Sequence, residues 1–285
     1  MYRDGILRIK PWCFPFFLLW VLLPACSSVS HFPREQYYQY SIPKSYRYEG
    51  ETFIVSVENP LECPLRIQFH STGALEEQLL QTGTILLKPK SDTVLRYTVT
   101  STDVKGVSFK TKLGDPNQKI VKNKLALPFP KGRSYKITQG YNGTFSHQSD
   151  YARFALDFDL KLRDTICAAD SGYVVGLIKD YTFGGQSQEW RNTDKSNFIT
   201  LYHPHSGIYT QYVHLVQEGA LVQMGDWVAQ GQAIGLAGAT GFASGPHLHF
   251  NVLVPSTLGT LVSIPIDFCE GYLGTSLTKG TLVKK

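Results

Sequence analysis

The sequence predicts a mainly β protein in two parts: a small, antiparallel, sandwich-like N-terminal domain, then a Gly-rich, barrel-like antiparallel β domain. Three observations predict it. Short runs of alternating apolar and polar residues recur from residue 52 onward, punctuated by Pro, Gly, Asn and Asp. From Ser134 onward no stretch carries the period of a helix longer than about two turns. Between residues 222 and 241 glycines fall at regular intervals among very short apolar runs, as the bends of a tightly coiled sheet require.

The first element is a leader, residues 1–26. Arg3, Arg8 and Lys10 precede an apolar run over 14–23 that is too short to span a bilayer comfortably. Leu23-Pro24-Ala25-Cys26-Ser27 resembles a bacterial lipoprotein signal, in which cleavage before the cysteine leaves a lipidated N-terminus; Pro24 is not the usual residue there. An ordinary secretory signal and a retained anchor are the alternatives. All three export the remainder of the chain, so the expected location is the cell envelope, facing the periplasm or the outside, with the membrane held through an N-terminal lipid anchor.

Residues 27–48 are polar and Tyr-rich and are expected to be a tether. A sandwich-like accessory domain is expected over 49–120, with strands near 52–57, 65–70, 85–87, 93–99 and 107–111. Asp115-Pro116-Asn117 and Leu127-Pro128-Phe129-Pro130 mark an extended linker, because each Pro biases its predecessor toward extended conformations. The second domain is expected over 125–275, with strands near 173–178, 197–202 and 208–213 and hairpins between 222 and 241. That hairpin rhythm also suits a biotinyl- or lipoyl-type carrier. Such a carrier presents a modifiable Lys at a hairpin tip, and none stands between Lys195 and Lys279.

The length of 285 residues allows two cores. With 42% hydrophobic and 18% charged residues the chain is globular rather than disordered. Lys plus Arg exceeds Asp plus Glu only by 28 to 23, and the basic residues are scattered, so no nucleic-acid partner is expected. Of the five cysteines, Cys63, Cys167 and Cys269 lie beyond the leader and cannot all pair. Cys167 with Cys269 is the one intradomain option; small buried hydrophobes are the preferred reading. No cysteine pair has zinc-finger spacing.

The chemistry concentrates in histidines. Five of the eight, His203, His205, His214, His247 and His249, lie between Tyr202 and Phe250, and His147 precedes them. His247-Leu248-His249 stands in a short apolar run. In a strand both rings would leave the same face, roughly 7 Å apart at about 3.3 Å per residue. One could then bind a metal while the other works on what the metal holds. Catalytic zinc takes three protein ligands from His and carboxylate and keeps a position open. Asp157 sits in the apolar stretch Ala155-Leu156-Asp157-Phe158, where an unpaired carboxylate is costly. A metal, a buried salt bridge or an edge turn would each resolve that cost. A His-Glu-X-X-His helix, a Gly-X-Ser-X-Gly elbow and a phosphate loop are all missing.

Several ordered motifs stand together over residues 125–255: Ser146-His147, the stretch 151–158, Ala168-Ala169-Asp170-Ser171-Gly172, Tyr212-Val213-His214-Leu215, Val228-Ala229-Gln230-Gly231-Gln232-Ala233-Ile234-Gly235, Gly238-Ala239-Thr240-Gly241 and Gly245-Pro246-His247-Leu248-His249-Phe250. This set resembles the lysostaphin/LytM-type zinc metallopeptidases, which cut peptide cross-links in bacterial peptidoglycan. The resemblance implies that His147, Asp157 and His249 bind Zn²⁺ and that His214 and His247 are the catalytic histidines. It implies an exported zinc metalloendopeptidase that hydrolyses peptide cross-links or stems, with a peptidoglycan peptide as partner. The alternative is a catalytically silent, wall-binding or hydrolase-activating lipoprotein. The nine residues between His147 and Asp157 exceed the spacing of the best-known members and read as a loop, with Asp159 as the substitute ligand. His203 and His205 are expected to be structural or to support the ligands from outside the coordinating set. Asn197 and Thr240 suit either substrate hydrogen bonding or turn and strand ends. Residues 183–191 suit a cleft-wall loop, with Trp190 stacking on sugar or covering the core.

Overall fold

The structure is a computed structural model and describes residues 42–71, 82–99, 107–193 and 196–285. The leader, including Cys26 and the expected lipid anchor, lies outside the described residues, as does the expected tether up to residue 41. Among the described residues no helix is long and apolar enough to cross a membrane.

The N-terminal strands are β1 (Lys44–Glu49), β2 (Thr52–Glu58), β3 (Leu65–His70), β4 (Thr84–Leu87), β5 (Asp92–Thr98) and β6 (Ser108–Leu113). They form two three-stranded antiparallel sheets in the orders β1-β2-β5 and β4-β3-β6. Phe53, Val55 and Val57 of β2, and Leu65, Ile67 and Phe69 of β3, recur at every second position and are buried, as the strand period demands. Strand β1 falls in the stretch that the sequence reads as tether. All six of its residues are exposed, so no buried face announces it. What holds it is its pairing with β2 and two aromatic contacts. Tyr46 stacks on Phe53 at 5.9 Å between ring centres, and Tyr48 tilts against the same ring at 5.1 Å.

The rest of the chain carries β7 (Ser134–Gln139), β8 (Leu156–Phe158), β9 (Thr165–Cys167), β10 (Gly172–Ile178), β11 (Gly184–Gly185), the short helix α1 (Gln188–Thr193), β12 (Phe198–His203), β13 (Ile208–Val213), β14 (Leu215–Ala220), β15 (Trp227–Val228), β16 (Ala233–Ala237), β17 (Gly241–Phe242), β18 (Leu248–Pro255), β19 (Leu261–Ser263) and β20 (Leu282–Lys284). A nine-stranded antiparallel sheet runs β15-β10-β12-β13-β18-β8-β7-β20, with β19 beside β18. Strands β14-β16-β9 form a smaller antiparallel sheet, and β11 pairs with β17 in parallel. The turns between residues 222 and 232 place Gly225 and Gly231 at φ +87° and +81°, a region that residues with a Cβ rarely adopt.

The large sheet is covered on both faces. On one face Ile199 and Leu201 of β12, Ile208 and Tyr212 of β13, and Leu248, Phe250 and Val252 of β18 pack with Ile166, Leu215 and Ile234 of the smaller sheet. On the other, Tyr202, Tyr209 and Leu253 join Phe53, Ile67 and Phe69 of the N-terminal sheets in a second core. Strand β12 is therefore buried at all six positions and reads as a continuous run rather than an alternation. Polar bonds tie the same junction. Arg66 donates from Nη1 to the Ser256 carbonyl and from Nη2 to the Leu113 carbonyl, both at 2.8 Å. Cys63 and Cys167 are buried and Cys269 is exposed, all as free thiols.

Candidate metal centre

Alternation along β18 sends Leu248, Phe250 and Val252 into the main core, and so His249 to the opposite face. Alternation along β8 does the same for Asp157, between the core residues Leu156 and Phe158. Register then sets them side by side: His249 pairs with Asp157 on one flank and with Val213 on the other. His147 comes from the loop after β7 and is fully buried.

The three side chains meet closely. His249 Nδ1 lies 2.9 Å from Asp157 Oδ1, His147 Nε2 lies 3.2 Å from the same oxygen, and the two nitrogens are 3.2 Å apart. The surrounding groups hold these atoms in place. His147 Nδ1–H donates to the Gly140 carbonyl at 2.9 Å, which turns Nε2 toward the cluster. Gln139 pairs with Asp157 across β7 and β8 and donates from Nε2 to Asp157 Oδ2 at 3.0 Å. Its Oε1 accepts from the backbone N–H groups of Phe145 and Ser146, so one side chain fixes both the carboxylate and the His147 loop. Nothing in the sequence singled out Gln139 or the Gly140 carbonyl.

Two nitrogen lone pairs and a carboxylate oxygen cannot sit this close without a proton or cation among them. Burial by itself would raise the Asp157 carboxyl, but the hydrogen bonds of His147 and His249 hold it well below its ordinary value. Burial lowers His249, with Asp157 offsetting part of the effect. At His147 burial is outweighed by Asp157, which raises the imidazole. A carboxylate and two imidazoles are the borderline donor set that suits zinc. Among the described residues this is the one group of three such donors, all within 4.8 Å of one another. Asp159 is not part of it.

His214 and His247 stand beside this triad. Their ring centres are 4.5 Å apart, and His214 is 5.9 Å from His249. His214 links β13 to β14 at φ +69°, a strained conformation for a residue with a Cβ. There the chain passes from the large sheet to the smaller one. His214 Nδ1–H donates to the Thr240 carbonyl at 2.7 Å, and His247 Nδ1–H to the Gly245 carbonyl at 2.9 Å. Each ring keeps Nε2 for other work. Burial, then the neighbouring His247 and His249, pushes His214 well below its usual value, so it is neutral at neutral pH. All five residues border or underlie one cleft of about 1510 Å³ that also runs past Gln139, Phe145, Arg191, Phe242 and Lys279.

The remaining candidates fall outside this cluster. His203 is buried between the Ser171 carbonyl and the Thr210 hydroxyl, each at 2.8 Å, and His205 pairs with Asp170 at 2.9 Å. Asn197 spends its amide on Tyr181 and Leu215, and the Thr240 hydroxyl bonds the Asn197 N–H and the Leu215 carbonyl. Both brace the strand ends around His214. Trp190 is buried and packs on Gly185, where a Cβ would strike its ring.

Residues 153–258 match the family model described as Peptidase family M23; His147 lies just ahead of that segment. The peptidoglycan DD-endopeptidase ShyB of Vibrio cholerae is 29% identical over 171 residues, 54% of this chain and 36% of the relative. Lysostaphin of Staphylococcus staphylolyticus is 30% identical over 142 residues, 49% of this chain and 27% of the relative. The chain thus spans about a third of the length of these relatives. The solved catalytic domain of lysostaphin from Staphylococcus simulans covers 46% of this chain and 88% of its own length, at 24% identity and a TM-score of 0.32. Residues 153–258, which supply Asp157, His214, His247 and His249, therefore form a peptidase domain of family M23, of the lysostaphin/LytM type.

Proposed function

We propose that this protein is an exported zinc metalloendopeptidase that hydrolyses peptide cross-links or stems of peptidoglycan. In this reading His147, Asp157 and His249 hold the zinc, and His214 and His247 are the catalytic histidines. The observation that carries it is the meeting of His147 Nε2, Asp157 Oδ1 and His249 Nδ1 at 2.9–3.2 Å, with two further imidazoles beside them in one open cleft. The Vibrio cholerae relative is a peptidoglycan DD-endopeptidase, which supports the substrate class. The charged and apolar leader supports export, and a lipid on Cys26 would hold the domain at a membrane.

Bound zinc supplies Lewis acidity toward a carbonyl oxygen and toward water. The chain's own groups do the rest. Gln139 and the Gly140 carbonyl orient two of the three ligands. Neutral His214, with its Nδ1 proton committed to Thr240, offers Nε2 as a proton acceptor. His247, with Nδ1 committed to Gly245, offers a second Nε2. The nitrogen that takes the proton of the attacking water thereby becomes an N–H donor and passes that proton to the departing amine, while the second, still neutral Nε2 accepts a hydrogen bond that orients the water.

The test is digestion of purified sacculi by zinc-loaded protein, followed by mass spectrometry of the released fragments. The expected products carry a new amine and a new carboxyl at a peptide bond. Sacculi left intact by protein that holds one zinc per chain would refute the reading.

A further inference from the structure

The wall of the cleft carries a guanidinium that the chemistry above does not use. Arg191 lines the same cleft as His247 and His249. Its backbone is placed by packing: Trp190, one residue before it, is buried, and Gly184 and Gly185 of β11 let the segments close up. A Cβ at Gly184 would run into the Ala239 carbonyl oxygen. The guanidinium is then held from two sides. Arg191 Nη2 donates to the Phe145 carbonyl at 2.7 Å, and its Cζ lies 4.9 Å from the centre of the Phe242 ring. Phe145 and Phe242 themselves stack at 4.8 Å and 9°. Phe145 is two residues from His147, and its N–H is bonded to Gln139, which also holds Asp157. Arg191 is thus fixed on the wall of the same cleft by an aromatic face and a neutral carbonyl.

Neither contact neutralises it. Among the described residues no carboxylate forms an ion pair with Arg191, although the side chain is exposed to the cleft. A guanidinium has five N–H donors in a planar fork, and one is committed to Phe145. Stacking on an aromatic ring and pre-ordering by a carbonyl reduce the rotamer freedom that a long side chain loses on binding. The remaining donors match the two oxygens of a carboxylate.

We propose that Arg191 is a specificity-determining residue that binds a free carboxylate of the substrate peptide, so that the cleft favours acidic stem peptides over neutral glycine bridges. This rests on the endopeptidase reading and narrows its substrate class. A glycine bridge offers only neutral amides along its length, whereas stem peptides carry free carboxylates. Lys279, which borders the same cleft, adds a second positive charge and enhances the preference.

The probes are a synthetic cross-linked stem peptide with free carboxylates and the same peptide with those groups converted to carboxamides. Binding is measured by calorimetry on the full, zinc-loaded chain carrying His247→Ala, so that turnover does not interfere. The free-carboxylate peptide is expected to bind about tenfold more tightly than its amide, with the advantage shrinking at high salt. In the Arg191→Gln background the two peptides should bind alike, and Arg191→Lys should retain part of the difference. Thermal melting checks that each variant is folded. A role of Arg191 in bracing Phe145 alone would weaken both peptides equally, leave the ratio untouched and overturn the proposal. Equal binding of acid and amide before Arg191 is altered, or no binding of either, overturns it too. Binding is read apart from cleavage, so peptides that bind with the expected ratio but are never cut by the unaltered zinc-loaded chain would sink the endopeptidase reading and leave the carboxylate site standing.

Discussion

The hairpin of β12 and β13 has a histidine cluster at each end, and the two clusters have opposite chemistry. At one end His203, paired with Ile208, gives one ring nitrogen to a carbonyl and the other to a hydroxyl. No lone pair is left over. At the other end Val213 pairs with His249 and His214 comes next. There Nδ1 of His147, His214 and His247 is tied to a carbonyl; Nε2 of His147 faces Asp157 and His249, and Nε2 of His214 and of His247 is left beside the cleft. Residue type does not separate a histidine that only braces the fold from one that could serve a metal or a substrate. What the second ring nitrogen faces does: a hydroxyl at His203, a buried carboxylate and a second imidazole at His147.

The sharpest break between the two ends is expected from metal removal. Asp157→Ala or His249→Ala should reduce bound zinc, read by elemental analysis, to under about a tenth of the unaltered protein, and cleavage should vanish with it. His203→Ala should leave zinc content unchanged. Equal metal loss from both ends would erase the contrast.

His247→Ala comes second in size. It should retain zinc while cleavage falls by about 10²- to 10⁴-fold, the usual contribution of a positioned proton carrier. Undiminished turnover would remove His247 from the chemistry.

At the structural end the expected effect is on stability. Burial depresses the His203 imidazole to about 4, against about 6.5 in an unfolded chain. Above pH 6.5 the ring is neutral in both states and its contribution is fully present. As pH falls through 6.5 toward 4, the unfolded chain takes up a proton that the folded one refuses, and about 3 kcal/mol of stability is lost. Urea unfolding at a series of pH values reads this slope, and His203→Gln should flatten it in that window.

The smallest effect concerns the loop behind His147. The Tyr141 hydroxyl accepts from the Ile266 N–H at 3.0 Å and donates to its carbonyl at 3.1 Å, next to Gly140, where a Cβ would run into the Leu277 carbonyl. Tyr141→Phe should weaken zinc binding by about tenfold, as loss of an outer support of a ligand does. Competition with a chromophoric chelator measures it; an unchanged affinity would detach this C-terminal segment from the centre.

How much of this was legible depends on the range of the interaction. The Phe53-Val55-Val57 alternation is local, and β2 could be read from it. The same logic set Asp157 and His249 opposite to their apolar neighbours, because a side-chain period of two is a property of the strand alone. Strand β1 could not be read: all six of its residues are exposed, so no buried face announces it, and its contacts are with the backbone of β2, the Phe53 and Phe109 rings and Arg96. The left-handed backbone of His214 carries no sequence mark either: histidine enters that region more often than most residues do, but only a small minority of histidines adopt it.

The chain alone therefore determined the β class, the apolar faces and the supply of imidazoles, since these come from residue type and a period of two along a strand. Tertiary structure decided which of the histidines share a point in space. The loop after β7, the register of β8, β18 and β13, and the turn at His214 are set by packing between residues as far apart as 139 and 249. A pairing shifted by one residue would send His249 to the other face, so only the folded sheet turns a scatter of histidines into a centre.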